Sequence, residues 1–474
     1  MNDNRPPEAE AAIEASGQAA DGAATPARLL SLDVFRGLTI AAMILVNMTW
    51  DREMLPAQMF HVGWNRGEQG ATFTDLVFPW FIFIAGVAIP FSMGGGRGRA
   101  LSRPQRLLVA GRRAVVIYTL GLLLDAATSG QLVFLKWNIL QMIAGAYLIG
   151  TCLSLLPFAA QAVFVGCTLA AKWYVLSVMP HPDYGSSVWH FAVDGGVVPD
   201  RYAEGSVPVN GEQVFKSRLL ASEASLPLSD AINFSPLLNW LCNLFNLLPA
   251  AAVCVLGMWA GRFIRSDRER RPRTGWVLVI AGCTAWLASW AWNLHLPWSK
   301  DFFTASYALL AAGTAAGLLG TLFLLLDSAA QVRTRWLGII APLGVLAGAI
   351  GALLDAPAWA QSWSYGVGVG GAVLWFVGSL PVALRFFRVF GLNAIAVYFV
   401  NEMLFKLVFT AWSLPALDPD ASIIGAVYRW LRADRFAHSQ AETLLGSWAF
   451  ALLWLLGCWL FVRWLDRRGV YIRV

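Results

Sequence analysis

The sequence predicts an all-α fold: a polytopic bundle of transmembrane helices with about twelve spans. Three observations carry this. Of the 474 residues 57% are hydrophobic and 14% charged, with a mean hydropathy of +0.57, whereas soluble domains carry about 25% charge. Apolar runs of roughly 20 residues, the length a helix needs to cross a bilayer, recur along nearly the whole chain. Arginines gather in short clusters between those runs, in an order that agrees with a single orientation. No stretch is left for a sizeable water-soluble domain. The net charge is +6, but its carriers are scattered between spans and form no continuous basic face, so nucleic-acid binding is excluded.

Residues 1–27, rich in Ala, Glu, Gly and Pro and without an apolar h-region, read as a disordered cytoplasmic tail rather than a cleaved leader. Residues 28–474 then form one membrane domain. Its candidate spans are 32–49, 73–93, 112–128, 137–157, 160–179, 235–260, 274–293, 304–326, 336–355, 364–384, 389–411 and 445–463. An even number of spans puts both termini on one side. Arg97, Arg99, Arg103, Arg106, Arg112 and Arg113 follow the second span, and Arg262, Arg265, Arg268, Arg270, Arg271 and Arg273 follow the sixth. Arg333 and Arg335, Arg385 and Arg388, and Arg463, Arg467, Arg468 and Arg473 complete the set on the same side. The positive-inside rule makes that side cytoplasmic, and an error of one span would break the agreement. The longest outer segment, 181–232, is rich in Gly and Pro and large enough to cap a site. The segment 412–444 is a smaller second lid. The six cysteines lie in or beside apolar runs without paired spacing, so neither a disulfide framework nor a metal site is expected.

All five histidines fall on the outer face in this topology. His181, His190, His295 and His438 read as solvated loop residues. His61 differs, because it sits between two spans in the polar context Phe60-His61-Val62-Gly63-Trp64-Asn65, with Asp75 at the entrance of the next span. An imidazole titrates near neutrality and can move protons when a carboxylate orients it. Asp75 also suits the positive end of a helix dipole without any further role.

Ionisable groups inside spans cost about 2.5–3.5 kcal/mol each, so each needs a reason. Asp33 and Arg36 are spaced to pair on one helix face, either as an interfacial ion pair or as part of a site. Asn47 brings an amide to the outer end of the same span. Asn138 and Gln141 face one direction at the start of the fourth span. Asn393, Asn401 and Glu402 are too many polar groups for a lipid-facing helix, so the eleventh span lines the interior. Lys300, Ser306 and Tyr307 lie in a segment of donors and aromatics before the eighth. The chain has no GxxxxGK[ST], HExxH, GxSxG or CxxC motif, which removes the usual signatures of ATP-driven transport, zinc hydrolysis and serine hydrolysis.

In order along the chain, several segments resemble the heparan-α-glucosaminide N-acetyltransferase family of transmembrane acetyltransferases and its bacterial relatives. They are Arg28-Leu29-Leu30-Ser31-Leu32-Asp33-Val34-Phe35-Arg36-Gly37, Asn47, Phe60-His61, Trp64-Asn65 and Thr74-Asp75-Leu76-Val77-Phe78-Pro79-Trp80. Asn138-Ile139-Leu140-Gln141, Leu247-Leu248-Pro249 with Gly257 and Gly261, Lys300 with Thr304-Ala305-Ser306-Tyr307, and Phe390-Gly391-Leu392-Asn393-Ala394 continue the series. The resemblance implies His61 as the active-site histidine and Asn47 as the catalytic-site asparagine, with acetyl-CoA supplied from the cytosol and no metal. Its implied acceptor is an amino sugar or glycan on the far side. Residues 331–384 look like two spans inserted into the family pattern, on a family core of roughly ten. The expected setting is a bacterial inner membrane, with acetyl-CoA, the acceptor and the bilayer as partners and a homodimer allowed.

The chemistry expected on that basis is acyl transfer. His61 deprotonates the acceptor amine, Asp75 fixes the imidazole tautomer, and Asn47 donates to the oxyanion. In the other course His61 itself carries the acetyl group. Asp33, Arg36, Trp64, Asn138, Gln141, Lys300, Ser306, Tyr307, Asn393 and Glu402 are the candidate substrate or CoA contacts. Arg clusters near 97–113 and 262–273 serve either the CoA phosphates or orientation alone. The rivals are a secondary transporter or flippase with a buried polar pathway, and O-acetylation of a cell-envelope glycan.

Overall fold

The computed structural model describes residues 29–48, 57–62, 70–95, 100–129, 138–178, 236–267, 269–300, 302–328, 381–405 and 440–472, with isolated positions at 343, 346 and 371. The tail, Trp64, the 181–232 segment, residues 412–439 of the 412–444 segment and nearly all of 331–384 lie outside them. Among the described residues every regular element is helical. In chain order these are α1 (Leu30–Asn47), a 3-10 turn (Ala57–Met59), α2 (Phe73–Gly94), α3 (Arg103–Ser129), α4 (Ile139–Ser154) and α5 (Phe158–Trp173, continued by a π turn). Then come α6 (Pro236–Ser266), α7 (Pro272–Asn293), α8 (Ala305–Leu326), α9 (Pro381–Leu392), α10 (Ala394–Met403) and α11 (Gln440–Arg467).

Seven helices among the described residues are long and apolar enough to cross a membrane, while α4 and α10 are shorter apolar helices. The count of twelve is therefore not reproduced, and the two spans expected over 336–384 fall almost wholly outside the described residues. The eleventh span, expected as one helix over 389–411, is instead broken at Asn393 (φ −124°, ψ 35°) into α9 and α10. The break is stabilised by its own side chain. Asn393 Nδ2 donates to Val470 O at 3.2 Å and Asn393 Oδ1 accepts from Ile472 N at 2.9 Å.

The core is built by α1, α2, α6 and α8, whose facing positions are almost all closed to solvent. Close approach is made possible by glycines. A Cβ on Gly86 would collide with Cys254 O, and one on Gly257 with Phe83 O, so α2 and α6 pack backbone to backbone. Gly37 against Phe387 O and Gly391 against Asp33 O do the same for α1 and α9. The outer helices carry large apolar side chains on their free faces: Leu108 and Val115 on α3, Ile280 and Leu287 on α7, Leu453 and Leu460 on α11. A bundle greasy outside as well as inside has lipid as its solvent.

Two polar ends follow. At one, Asp327 at the end of α8 takes the Leu30 and Ser31 backbone N–H groups of α1 at 3.1 and 2.7 Å and pairs with Arg270 at 3.0 Å. Arg265 donates to Pro90 O and Gly94 O at the end of α2, and Arg262 to Ser154 O at the end of α4. The other end holds the start of α2, the end of α1 and the start of α8. These ends alternate as successive crossings require.

Candidate active site

The site begins with how α2 starts. A helix N-terminus leaves backbone donors unsatisfied, and here the preceding 3-10 turn supplies acceptors. Phe73 N donates to Gln58 Oε1 at 2.8 Å, and Thr74 Oγ1 donates to Gln58 O at 3.0 Å. Thr72 Oγ1 lies 2.6 Å from Phe60 O, fastening the histidine's neighbour to the helix. Gly70 turns the chain with φ +111°, a conformation open to glycine. The 57–62 segment is thus fixed against α2 by side chains adjoining His61.

Asp75, in the first turn of α2, gathers the result. Its Oδ1 lies 2.7 Å from His61 Nδ1, and its Oδ2 accepts from Val62 N at 3.2 Å and Thr72 N at 3.1 Å. Its side chain is 1% exposed while that of His61 is 49% exposed. A buried carboxylate surrounded by N–H donors at a helix N-terminus stays ionised, so the shared proton belongs to Nδ1. The second ring nitrogen, Nε2, is then the basic one, on a side chain that is half exposed. This is the division of labour of an oriented base.

Two further residues join, one from the α7–α8 loop and one from the first turn of α8, 239 and 232 positions away in sequence. Tyr307, fully buried, donates its hydroxyl to Asp75 O at 2.6 Å. Lys300 Nζ stands 3.0 Å from His61 Nδ1 and 3.8 Å from Asp75 Oδ1. The loop is tied to itself: Ser306 Oγ donates to Leu296 O at 2.5 Å, Thr304 N to Ser299 O at 3.1 Å, and Trp298 Nε1 to Ser289 Oγ at 2.8 Å. Thr304 Oγ1 caps α8 by accepting from Tyr307 N at 3.3 Å. Ser306 is therefore a loop fastener within this structure, closed to solvent.

The remaining candidates form separate groups. Asn47 Nδ2 donates to Glu402 Oε1 at 3.2 Å, and Glu402 also receives Asn401 Nδ2 at 3.3 Å, joining the end of α1 to α10. Trp454 Nε1 holds Asn401 Oδ1 at 2.7 Å. Asn138 and Gln141 converge on a buried carboxylate that the sequence reading passes over: Asp125 of α3 accepts both amides at 2.8 Å. Its one signal was an acid inside an apolar run, whose cost demands partners. Asp33 and Arg36 pair at 3.6 Å, with Arg36 reaching Gly391 O at 3.4 Å. They and Asn393 lie at the opposite end, Asp33 being about 21 Å along α1 from Asn47 by helix rise.

Residues 28–192 match the family model described as heparan-alpha-glucosaminide N-acetyltransferase, catalytic. The human heparan-alpha-glucosaminide N-acetyltransferase is 35% identical over 101 residues, 21% of this chain and 14% of that protein. The mouse protein of the same name is 34% identical over 97 residues, 20% of this chain and 14% of its own length. The aligned segments thus span about a seventh of each relative. The matched region contains Asn47, His61, Asp75, Asp125, Asn138 and Gln141, whereas Lys300, Tyr307 and Glu402 lie beyond it. Residues 28–192, which carry the His61–Asp75 pair, are thus similar to the catalytic region of the heparan-α-glucosaminide N-acetyltransferases.

Proposed function

We propose that this protein is a transmembrane acetyltransferase that moves an acetyl group from cytoplasmic acetyl-CoA to the amine of an amino sugar or glycan on the periplasmic side of a bacterial inner membrane. The single observation behind the reading is the 2.7 Å contact of His61 Nδ1, on a half-exposed side chain, with buried Asp75. The similarity of residues 28–192 to that catalytic family model supports the acyl-transfer class.

The acceptor amine, neutral when it attacks, forms the new C–N bond at the thioester carbon and passes its proton to His61 Nε2. The tetrahedral intermediate collapses, the C–S bond breaks, and the CoA thiolate takes the proton back from the ring. Asp75 keeps Nδ1–H in place and offsets the imidazolium charge. One amide hydrogen of Asn47 is held by Glu402, and the other serves the oxyanion, a contribution of about 3 kcal/mol. In the alternative course Nε2 attacks the thioester first and hands on the acetyl group in a second step. Asp125 with Asn138 and Gln141, and Glu402 with Asn47, offer acceptors and donors to sugar hydroxyls and the amine. Arg262, Arg265, Arg270 and Arg271 already hold backbone carbonyls or carboxylates, which favours their structural use over CoA binding.

The helix break at Asn393 favours a second reading, a solute pathway through unwound backbone. Reconstitution in liposomes with labelled acetyl-CoA on the cytoplasmic side and glucosamine on the other separates the two. Acetylated sugar on the far side, abolished in His61→Ala, is the expected outcome. Sugar or proton flux independent of CoA replaces the enzyme by a transporter. A hydroxylamine-labile acetyl label on His61, formed in the absence of acceptor, would select the carrier course.

A further inference from the structure

Nδ1 of His61 has two close neighbours, Asp75 Oδ1 at 2.7 Å and Lys300 Nζ at 3.0 Å, and it cannot donate to one while accepting from the other. The carboxylate decides the matter. A 2.7 Å approach of nitrogen to an ionised oxygen requires a proton between them, and that proton sits on Nδ1. Lys300 then stands beside the ring as a cation, 3.8 Å from the carboxylate oxygen.

Counting charge gives the consequence. Among the described contacts of the ring, the charges of Asp75 and Lys300 cancel while it is neutral. A second proton, on Nε2, would leave a net positive charge with two cations 3.0 Å apart at their nearest recorded atoms. We infer that Lys300 is a positioning residue for the base: its ammonium is the standing countercharge of Asp75 and keeps the His61 ring unprotonated between turnovers. Among the described contacts the groups facing the ring are Asp75 from α2, Lys300 from the α7–α8 loop, and Tyr307 from α8, whose hydroxyl is spent on the Asp75 carbonyl. Asp75 draws a second proton onto the ring and Lys300 opposes it. The side chains of Lys300 and His61 are 27% and 49% exposed, so water screens the effect. With near-aqueous screening, a unit charge about 4 Å away changes ring protonation roughly tenfold.

The experiment is imidazole C2–H exchange with deuterium, followed residue by residue by mass spectrometry on the full-length protein in nanodiscs between about pH 5 and pH 9. Its readout is the pH at which His61 exchange is half-maximal. Lys300→Gln should raise that midpoint by about one pH unit, and Asp75→Asn should lower it. Lys300→Arg, which keeps the charge, should match the unmodified protein. His295 is the internal check that the fold is intact. An unmoved or lowered midpoint in Lys300→Gln, or an equal rise in Lys300→Arg, overturns the inference.

The second arm rests on the proposed acetyl transfer: the acid limb of its pH–rate profile should move with the exchange midpoint. If the midpoint moves and the limb does not, His61 is not the base and the Lys300 inference stands. If the unmodified protein transfers no acetyl group, the functional reading falls, and the exchange arm still decides the role of Lys300.

Discussion

At His61 a half-exposed side chain meets a buried partner, and the ring nitrogen facing that partner makes a specific demand on it. Asp75 meets it by placing one oxygen on Nδ1 and the other on two backbone N–H groups. Asparagine at that position preserves shape but offers an N–H where the ring needs an acceptor, or reverses the tautomer. Asp75→Asn is therefore expected to lower kcat for acetyl transfer by about 10²- to 10⁴-fold. Apparent KM values for donor and acceptor should stay nearly unchanged, as steady-state kinetics would reveal. A defect confined to KM would remove Asp75 from the proton path. Tyr307 acts one step further back, through the Asp75 carbonyl. Tyr307→Phe forfeits one buried hydrogen bond, about 1 kcal/mol, and should reduce kcat less than tenfold. A loss as deep as that of Asp75→Asn would show that the hydroxyl touches substrate.

The helices differ in how much of their arrangement the linear chain reveals. The His61–Asp75 pairing was legible because the partners are 14 residues apart and the acid opens an apolar run. Lys300 could be singled out as a polar residue near the same face, but not as a neighbour of the ring, because a 239-residue separation leaves no local signal. Asp125 and Asp327 were silent for another reason. A carboxylate in or at the end of an apolar run announces an unmet cost without naming who meets it. The break at Asn393 was hidden because hydropathy continues through it, while the side-chain bonds that stabilise it come from the 470–472 tail. Glycines carry the other concealed instruction, since only the partner helix shows which are close-packed. Gly391→Ala would drive a methyl group into Asp33 O. The expected cost is about 1–3 kcal/mol, seen as a lower unfolding midpoint in detergent. An unchanged midpoint would mean α1 and α9 separate more easily than their packing indicates.

Across the whole molecule, the alternation of helix ends and the distribution of charge describe the same object. The end carrying Arg262, Arg265 and Arg270 is bound by guanidinium groups to the carbonyls of α2 and α4 and to Asp327, so basic residues that read as orientation signals also hold that end together. The His61 end contains instead the Asp75 cluster, Asn47 with Glu402, and Asp125 with its amides. If the arginine end is cytoplasmic, an acyl group must pass about 21 Å from the level of Asp33 to that of Asn47. Under the proposed function, that separation gives the polar side chains at both ends of α1 a use. The sidedness can be tested directly with a variant lacking the six native cysteines. One cysteine would be introduced at Met59, beside the histidine turn, or at Ser266, where α6 ends. A membrane-impermeant maleimide applied to intact spheroplasts should label the Met59 variant. The Ser266 variant should react only after the membrane is opened. Labelling of both from one side would contradict the alternation of helix ends, whereas the reverse pattern would keep the bundle and invert it, placing His61 with the cytoplasmic pool of acetyl-CoA and making transfer across the bilayer unnecessary.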